Sequence, residues 1–487
     1  MISTEKNSKK DEETKTICPR AKDFSKWYND VISAADLAEH APVRGSMIIK
    51  PYGYALWEMI QSVLNLMIKE LGVPNAYFPL FIPESFLKKE SEHVEGFSPE
   101  VAVVTHAGGK KLDEPLIVRP TSEAIIYDAF SRWIQSYRDL PFAVNQWANI
   151  VRWELRPRLF LRTTEFLWQE GHTAHATAKE SEEYALMIIK RLYQRFAEEY
   201  LAMPVLSGVK SESEKFAGAY RTYCIESLMQ DGKSLQTGTS HDLSDHFAKS
   251  FNVMYLDDKG EKKYVHQTSW GVSTRLIGGL IMSHGDDKGL VLPPKIAPIQ
   301  VVITPITKNQ NDQVMLKSME LKETLKSFRV LLDDRDFRPG EKYYEWEKKG
   351  VPVRIEIGPK DLEKDSCVLV RRDTGEKTIC RLNIIETSVR DLLTNIQDSL
   401  YKKGLAYRAE TNRKVEDWAG LTESIKKGGY VYGFWCGNPE CELKIKEQLK
   451  ASIRCQTFDQ PKEPGPHSCI CCGKKAPDRR WVLAKAY

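Results

Sequence analysis

Residues 151–172 read VRWELRPRLFLRTTEFLWQEGH: four arginines, three glutamates and a histidine threaded through Trp, Phe and Leu, with no lysine. Charge and apolar bulk this closely mixed constrain the fold through their period. Arg152 and Glu154 share one strand face. After the turn-forming Arg156-Pro157-Arg158, the positions Arg162, Thr164, Phe166, Trp168, Glu170 and His172 share another. A strand–loop–strand hairpin of this kind aims charged side chains into a concavity rather than toward bulk water. Arginine's planar fork grips carboxylate and phosphate bidentately, which lysine's point charge cannot do. Two readings stand at this point: the wall of an anion pocket, or an exposed edge hairpin with paired surface charges.

At 487 residues the chain has the length of about three domains. Lys plus Arg (71) against Asp plus Glu (67) leaves +4, which excludes a strongly polybasic protein and confines any nucleic-acid site to a local patch. The first residues, MISTEKNSKKDEETKTICPR, mix both charge signs around no apolar centre. They resemble neither a secretory signal nor an acid-poor transit peptide, and a disordered tail is expected over 1–17. No apolar run reaches bilayer-spanning length. The expectation is a soluble, cytoplasmic protein with no membrane partner. Of ten cysteines, six (Cys436, Cys441, Cys455, Cys469, Cys471 and Cys472) crowd into the last stretch, which without an export signal favours metal binding over disulfides.

Along the chain, Leu56, Ile60, Val63, Leu64, Met67 and Leu71 fall at helical spacing before Gly72, and NAYFPLFIP follows as a proline-punctuated edge strand. A helix capped by Thr121 or Ser122 precedes the charged hairpin, and an amphipathic helix around 179–200 follows it. Strands are expected through 234–282, including HQTSWGVSTRLIGGLIM. The proline-rich GLVLPPKIAPIQ then reads as a linker over 289–299. Beyond it, strands and helices alternate as a compact α/β domain over 300–405. A small Gly- and Cys-rich domain over 406–487 closes the chain, and 18–288 forms the first domain.

A P-loop is excluded because GxxxxGK[ST] is missing, and no GxGxxG follows a strand. What the chain does carry is a long helix with a Pro-ended strand (52–83), the Arg-x-Glu hairpin (151–172) and a late strand–helix element with Arg275. This order resembles the three motifs of class II aminoacyl-tRNA synthetases. More narrowly, RPTSE (119–123), VRWE (151–154), FLRTTEFLWQEGHTAHA (160–176), KFAGA (215–219), GTSH (238–241), TSWGVSTR (268–275) and HGDDKGLVLPP (284–294) look like the prolyl-tRNA synthetase family of archaeal–eukaryotic type. The resemblance runs from about residue 20 to the C-terminal KAY. It implies an α/β (α+β) protein: an antiparallel β-sheet core flanked by helices, an α/β anticodon-binding domain, and a zinc-type C-terminal domain.

The reaction so implied is attack of the L-proline carboxylate on the α-phosphate of ATP, followed by transfer of prolyl to the 3' end of its tRNA. Both reactants are anions, so catalysis should be alignment plus electrostatics. On the family pattern, Arg152 bridges carboxylate and α-phosphate, Glu154 accepts from the adenine amino group, and Arg162 and Thr163 meet the nucleotide. Ser273 and Arg275, two apart and so on one strand face, also reach ATP. Gln236 and Thr239 complete the nucleotide site and help place Mg²⁺. Thr121 and Glu123 take the proline ammonium, while Trp168, Glu170, His172, Phe216 and His241 wall the ring; the catalytic pair is Arg152 and Arg275. The resemblance further implies a homodimer formed through the first motif. The segment between His172 and Arg275 leaves no room for a separate editing domain.

The tail supports a metal site independently of the resemblance. Cys436-x4-Cys441 and Cys469-x2-Cys472, with Gly473 easing the turn, offer four soft ligands for a structural, tetrahedral Zn²⁺ in a core-poor domain. Cys471 in CICCG is a rival for the fourth position, and Cys455 is a spare. A catalytically inactive synthetase relative serving as a tRNA-binding or regulatory protein is the alternative to the enzyme. Such a protein usually lacks the ATP arginines, whereas Arg152, Arg162 and Arg275 are all present here.

Overall fold

A computed structural model describes residues 16–87, 100–153, 156–307 and 312–487. The tail expected over 1–17 lies, but for its last two residues, outside them, and so does Glu154. The chain divides into two compact units. One comprises residues up to Glu39, Ile49–Ala55 and His284–Ile396; the other comprises His40–Ile48, Leu56–Ser283 and Gln397–Tyr487.

The larger unit is built on a ten-stranded sheet. In chain order its strands are β1 (Phe142–Val151), β2 (Glu165–His175), β3 (Val205–Val209), β4 (Arg221–Leu228), β5 (Ser234–Ser244), β6 (His266–Ser273), β7 (Arg413–Lys414), β8 (Val431–Gly433), β9 (Ser452–Thr457) and β10 (Trp481–Ala484). They lie side by side as β7-β8-β10-β9-β3-β4-β5-β6-β2-β1, antiparallel except for β7 beside β8. The charged stretch does form the expected hairpin, β1 with β2, in the register Val144↔His172, Gln146↔Glu170, Ala148↔Trp168 and Ile150↔Phe166.

The alternation begins later than its period suggests. Arg162 and Thr164 precede β2, because residues 158–162 close a tight turn, with Arg158 N–H donating to the Arg162 carbonyl (2.6 Å) and Phe160 at φ +61°. Thr164 N–H donates instead to the Gly45 carbonyl (2.8 Å).

Helix α1 (Pro51–Glu70) buries Leu56, Ile60, Leu64 and Met67 as its spacing predicts, and Gly72 follows at φ +78°. The neighbouring strand is shorter than expected, Phe81–Pro83. Helix α2 (Glu123–Trp133) starts after Ser122, whose side chain makes no capping bond. The helix expected around 179–200 is α3 (Ala178–Met187), continued by a π-helical turn at Ile188–Tyr193 and by Gln194–Glu199.

One strand expectation fails. After Ser273 the chain becomes helix α4 (Arg275–His284), with Leu276, Ile277, Leu280 and Ile281 all buried. An apolar run buried all round has no period to separate strand from helix. Residues 176–274 are consumed by α3, the sheet and its connections, so no separate editing domain is folded there.

At its far end the sheet takes in β7 to β10, where β9 pairs with β3 through Gln456↔Val209 and Thr457↔Gly208. Helix α5 (Pro439–Leu449) covers this end. It is not poor in core: Leu421, Ile425, Phe434, Trp435, Ile445, Ile453 and Leu483 are buried together.

In the smaller unit, a five-stranded sheet runs in the order Val330–Leu332, Val301–Pro305, Val353–Ile357, Ser366–Arg371, Lys377–Arg381. The first three strands are parallel and the last two antiparallel. Helices Gln313–Thr324 and Pro339–Lys348 accompany it, as the strand–helix alternation predicts. The proline-rich segment packs inward, burying Leu290, Leu292, Ile296 and Ala297, and Arg329 donates to its Ala297 and Pro294 carbonyls (2.7 and 2.8 Å).

Gly171 of β2 lies opposite Trp270 of β6, and a Cβ added there would stand 2.1 Å from the indole ring. That indole is 1% exposed. Gly171→Ala should therefore destabilise the protein by at least ~1–3 kcal/mol, the usual cost of overpacking. A urea midpoint unchanged from the parent's would refute this.

Candidate active site

On the face of the sheet that carries Trp168, Glu170 and His172, a cavity of about 480 Å³ opens. Four strands supply its floor by period-two alternation: Phe166, Trp168, Glu170 and His172 from β2, Ser269, Gly271 and Ser273 from β6, Thr239 and His241 from β5, and Thr222 from β4. Their alignment follows the ladder, with Trp168 opposite Ser273, Glu170 opposite Gly271, and His241 opposite Ser269.

At one end, Arg152 stands just past β1. Its Nε donates to the Pro120 carbonyl (2.9 Å), and its guanidinium lies over Phe166 (5.7 Å) and Trp168 (6.0 Å). Arg275, the first residue of α4, donates from Nε to the Leu161 carbonyl (3.2 Å). Ser273 and Arg275 both line the cavity, but not as neighbours on one strand face. The strand ends at Ser273, whose Oγ accepts from the Arg275 N–H (3.2 Å), so a helix start presents the arginine. Both guanidiniums are thereby oriented through main-chain carbonyls.

The carboxylates are held by amide, imidazole and hydroxyl groups. Glu170 accepts from Gln146 Nε2 (2.8 Å) and lies 3.0 Å from His172 Nε2, whose other ring nitrogen meets the Tyr127 hydroxyl (3.1 Å). Gln146 is fixed in turn by the Phe78 N–H (2.6 Å). Glu123, at the start of α2, accepts from the Thr121 hydroxyl. Glu123, Glu170 and His172 are each at most 3% exposed, and burial that deep demands such partners.

Phe216 faces His241 with ring centroids 4.7 Å apart. Burial drives the His241 pKa down to about 3, with Lys210, His172 and Arg152 adding repulsion, so its imidazole is neutral at physiological pH. Its Nδ1 meets Thr222 Oγ1 (3.0 Å). Three buried polar atoms of lining residues, Trp168 Nε1, Ser269 Oγ and Trp270 Nε1, have no hydrogen-bond partner among the described residues. A buried donor left in this way suits a cavity built for a polar guest.

Of the residues singled out in the sequence, Thr121, Glu123, Arg152, Trp168, Glu170, His172, Phe216, Gln236, Thr239, His241, Ser273 and Arg275 line this one cavity. Arg162 and Thr163 do not. Arg162 is exposed, and Thr163 is buried with its hydroxyl donating to the Glu165 carbonyl (2.8 Å). Lys210, Glu214, Thr222 and Ser269 also line the cavity and escaped the sequence reading. Lys210 and Glu214 precede the singled-out KFAGA by a few residues, which was the available signal.

The sulfurs of Cys436, Cys441, Cys469 and Cys472 lie within 4.8 Å of one another, with Cys436 Sγ 3.9 Å from Cys441 Sγ and 3.8 Å from Cys472 Sγ. Four thiolates around a tetrahedral ion at Zn–S distances of about 2.3 Å stand roughly 3.8 Å apart, so the group could hold such a metal. Cys471 turns away, its Sγ 3.7 Å from the Cys441 carbonyl. Gly437 and Gly473 sit at φ +83° and +70° beside the two cysteine pairs.

Known families match three stretches of the chain: the tRNA synthetase class II core domain (G, H, P, S and T) over 105–284, an anticodon binding domain over 300–398, and the prolyl-tRNA synthetase C-terminal domain over 418–487. The proline–tRNA ligase of Natranaerobius thermophilus is 52% identical over 99% of this chain and 100% of its own length. That of Chlorobaculum tepidum is 52% identical over 97% and 99%, and that of Chloroherpeton thalassium 54% identical over 90% and 92%. With about half of its residues shared along nearly its whole length, the chain belongs to the proline–tRNA ligase family of class II aminoacyl-tRNA synthetases.

Proposed function

We propose that the chain activates L-proline with ATP and transfers the prolyl group to the 3' end of its tRNA, using the cavity above β2, β5 and β6. The observation that carries this reading is the union in one cavity of two carbonyl-oriented arginines, an aromatic wall and two buried carboxylates. Arg152 and Arg275 meet the charge that builds as the proline carboxylate attacks the α-phosphate. They are fixed before reaction, so little reorganisation opposes the step. Thr121 and Glu123 receive the secondary ammonium, and Trp168, Glu170, His172, Phe216 and His241 close around the apolar ring. The inactive-relative reading loses ground because Arg152 and Arg275 both face the cavity.

For ATP, the proposed contacts are Arg152, Glu154, Arg162, Thr163, Gln236, Thr239, Ser273 and Arg275, with Mg²⁺ neutralising the phosphates. The proposed ligands of a structural Zn²⁺ are Cys436, Cys441, Cys469 and Cys472, where the ion would tie α5 to the Cys469–Gly473 turn. A homodimer is proposed through α1 and its following strand, where Leu66, Tyr77 and Phe81 are 60%, 73% and 47% exposed. All ten cysteines are free thiols, which suits a cytoplasmic location.

The direct test is ATP–pyrophosphate exchange with proline against other amino acids. In the same assay Arg152→Lys keeps the charge but loses the fork, and should lower kcat by roughly 10²-fold or more. Near-normal exchange by a folded variant would falsify the bridging role.

For the metal, Cys469→Ser and Cys472→Ser should each lower bound zinc and destabilise the far end of the sheet, while Cys471→Ser does neither. Metal content of the purified variants decides; emptying by Cys471→Ser alone would overturn the assignment.

Alanine fits inside a proline pocket with only lost contacts, and one methylene gives about 10–200-fold discrimination. With 176–274 consumed by the sheet and its helices, alanyl-tRNA of the proline type should decay at the spontaneous rate in the enzyme's presence. Enzyme-dependent deacylation above that rate would reveal a hydrolytic site elsewhere.

A further inference from the structure

We propose that Glu442, on α5, is a positioning residue for the proline pocket, acting through the loop between β3 and β4; the proposal rests on the proline-activating reading above.

That loop runs from Lys210 to Tyr220 and brings Lys210, Glu214 and Phe216 to the cavity wall. Little of it is regular. Lys210 N–H donates to the Thr222 carbonyl (2.9 Å), Glu214 N–H to the Ser211 carbonyl (3.2 Å), and Ala219 N–H to the Phe216 carbonyl (3.0 Å). Phe216 N–H donates to Thr222 Oγ1 (2.9 Å), the same hydroxyl that meets His241. These bonds pin the base of the loop and the residue that walls the pocket. Between them, Ser211 to Glu214 is held from outside.

The outside hold is Glu442. Its Oε1 accepts from Ser211 Oγ (2.8 Å) and its Oε2 from Ser213 Oγ. Glu442 is 5% exposed and Ser211 2%, and no cation lies within ion-pair distance of the carboxylate among the described residues. One turn along α5, Lys446 stands 3.9 Å from Glu214, which itself faces the cavity. A buried carboxylate satisfied by two serines of one loop is costly to keep unless it fixes those serines. The first turn of α5 helps by presenting its positive end. Cys441, the residue before Glu442, belongs to the four-sulfur group, so a metal held there would anchor the helix at the turn from which it reaches the loop.

The consequence is selective. Phe216 walls the proline ring, whereas Gln236, Thr239, Ser273 and Arg275 stand on β5, β6 and α4 and owe nothing to this loop. Releasing Ser211 and Ser213 should loosen the proline wall and leave the nucleotide side in place.

The test uses the full chain in ATP–pyrophosphate exchange, with proline and ATP titrated separately and metal content and melting temperature measured on each variant. Losing a charged, buried clamp in Glu442→Ala should raise the KM for proline by about tenfold, with the KM for ATP and kcat within about twofold. Ser211→Ala/Ser213→Ala should reproduce that rise, and adding Glu442→Ala to it should raise it no further. Glu442→Gln, which keeps one acceptor, should fall between. A proline KM unchanged in folded Glu442→Ala would overturn the proposal. So would a parallel loss of proline affinity, ATP affinity and bound metal, which marks a merely structural residue. Absence of proline-dependent exchange in the parent protein would instead overturn the functional reading itself.

Discussion

The site depends on the register of one antiparallel ladder. β1, β2, β6 and β5 align so that the even-numbered residues of β2 meet the odd-numbered residues of β6 and, past its bulge at Gln236–Gly238, of β5 on one face. A slip by one residue would turn Trp168, Glu170 and His172 to the other face and send Gln169, Gly171 and Thr173 into the cavity. The lock is steric as well as hydrogen-bonded. The Trp270 indole occupies the space that any side chain at 171 would need, and Gly271 leaves room beside the Trp168 ring. Register, not any single contact, decides which chemistry faces the guest.

On that scaffold, the buried acids Glu123 and Glu170 rest on hydroxyl, amide and imidazole groups, and Arg152 and Arg275 each donate to a main-chain carbonyl. Arg119, in the neighbouring RPTSE stretch, is a structural cation. It is fully buried, its Nε donating to the Asn149 carbonyl (3.0 Å) and its Nη1 meeting the Phe78 carbonyl, and burial lowers its pKa. Two arginines in neighbouring motifs thus serve different ends, and only their surroundings tell them apart.

That difference also marks where sequence reading stops. Period-two alternation found Trp168, Glu170 and His172, because a strand writes its face into adjacent residues. It misplaced Arg162 and Thr164, because the start of a strand is fixed by turn bonds that leave no period. Arg275 lines the cavity, but from a helix start and not from the strand face expected, since an apolar run enclosed on all sides has no signature to separate it from a helix. Gln146, Tyr127, Lys210 and Ser269 were silent because their roles arise from partners brought together only by folding. The grouping of Cys436, Cys441, Cys469 and Cys472 was legible because their spacing is local, with Gly473 at positive φ beside Cys472.

The pairing of β3 with β9 carries a consequence for how the protein is made. Gly208 permits it, since a Cβ there would stand 2.4 Å from the Gln456 carbonyl oxygen. Strands β1 to β6 leave the ribosome early, and β9 among the last elements. At about 5–20 residues per second, β3 waits on the order of ten to fifty seconds for its partner. Throughout that interval its outer backbone is an unpaired edge, open to a neighbouring nascent chain on the same message. A nonsense mutation late in the gene would make that interval permanent. The truncated product would carry every residue that lines the cavity and still be a template for co-aggregation.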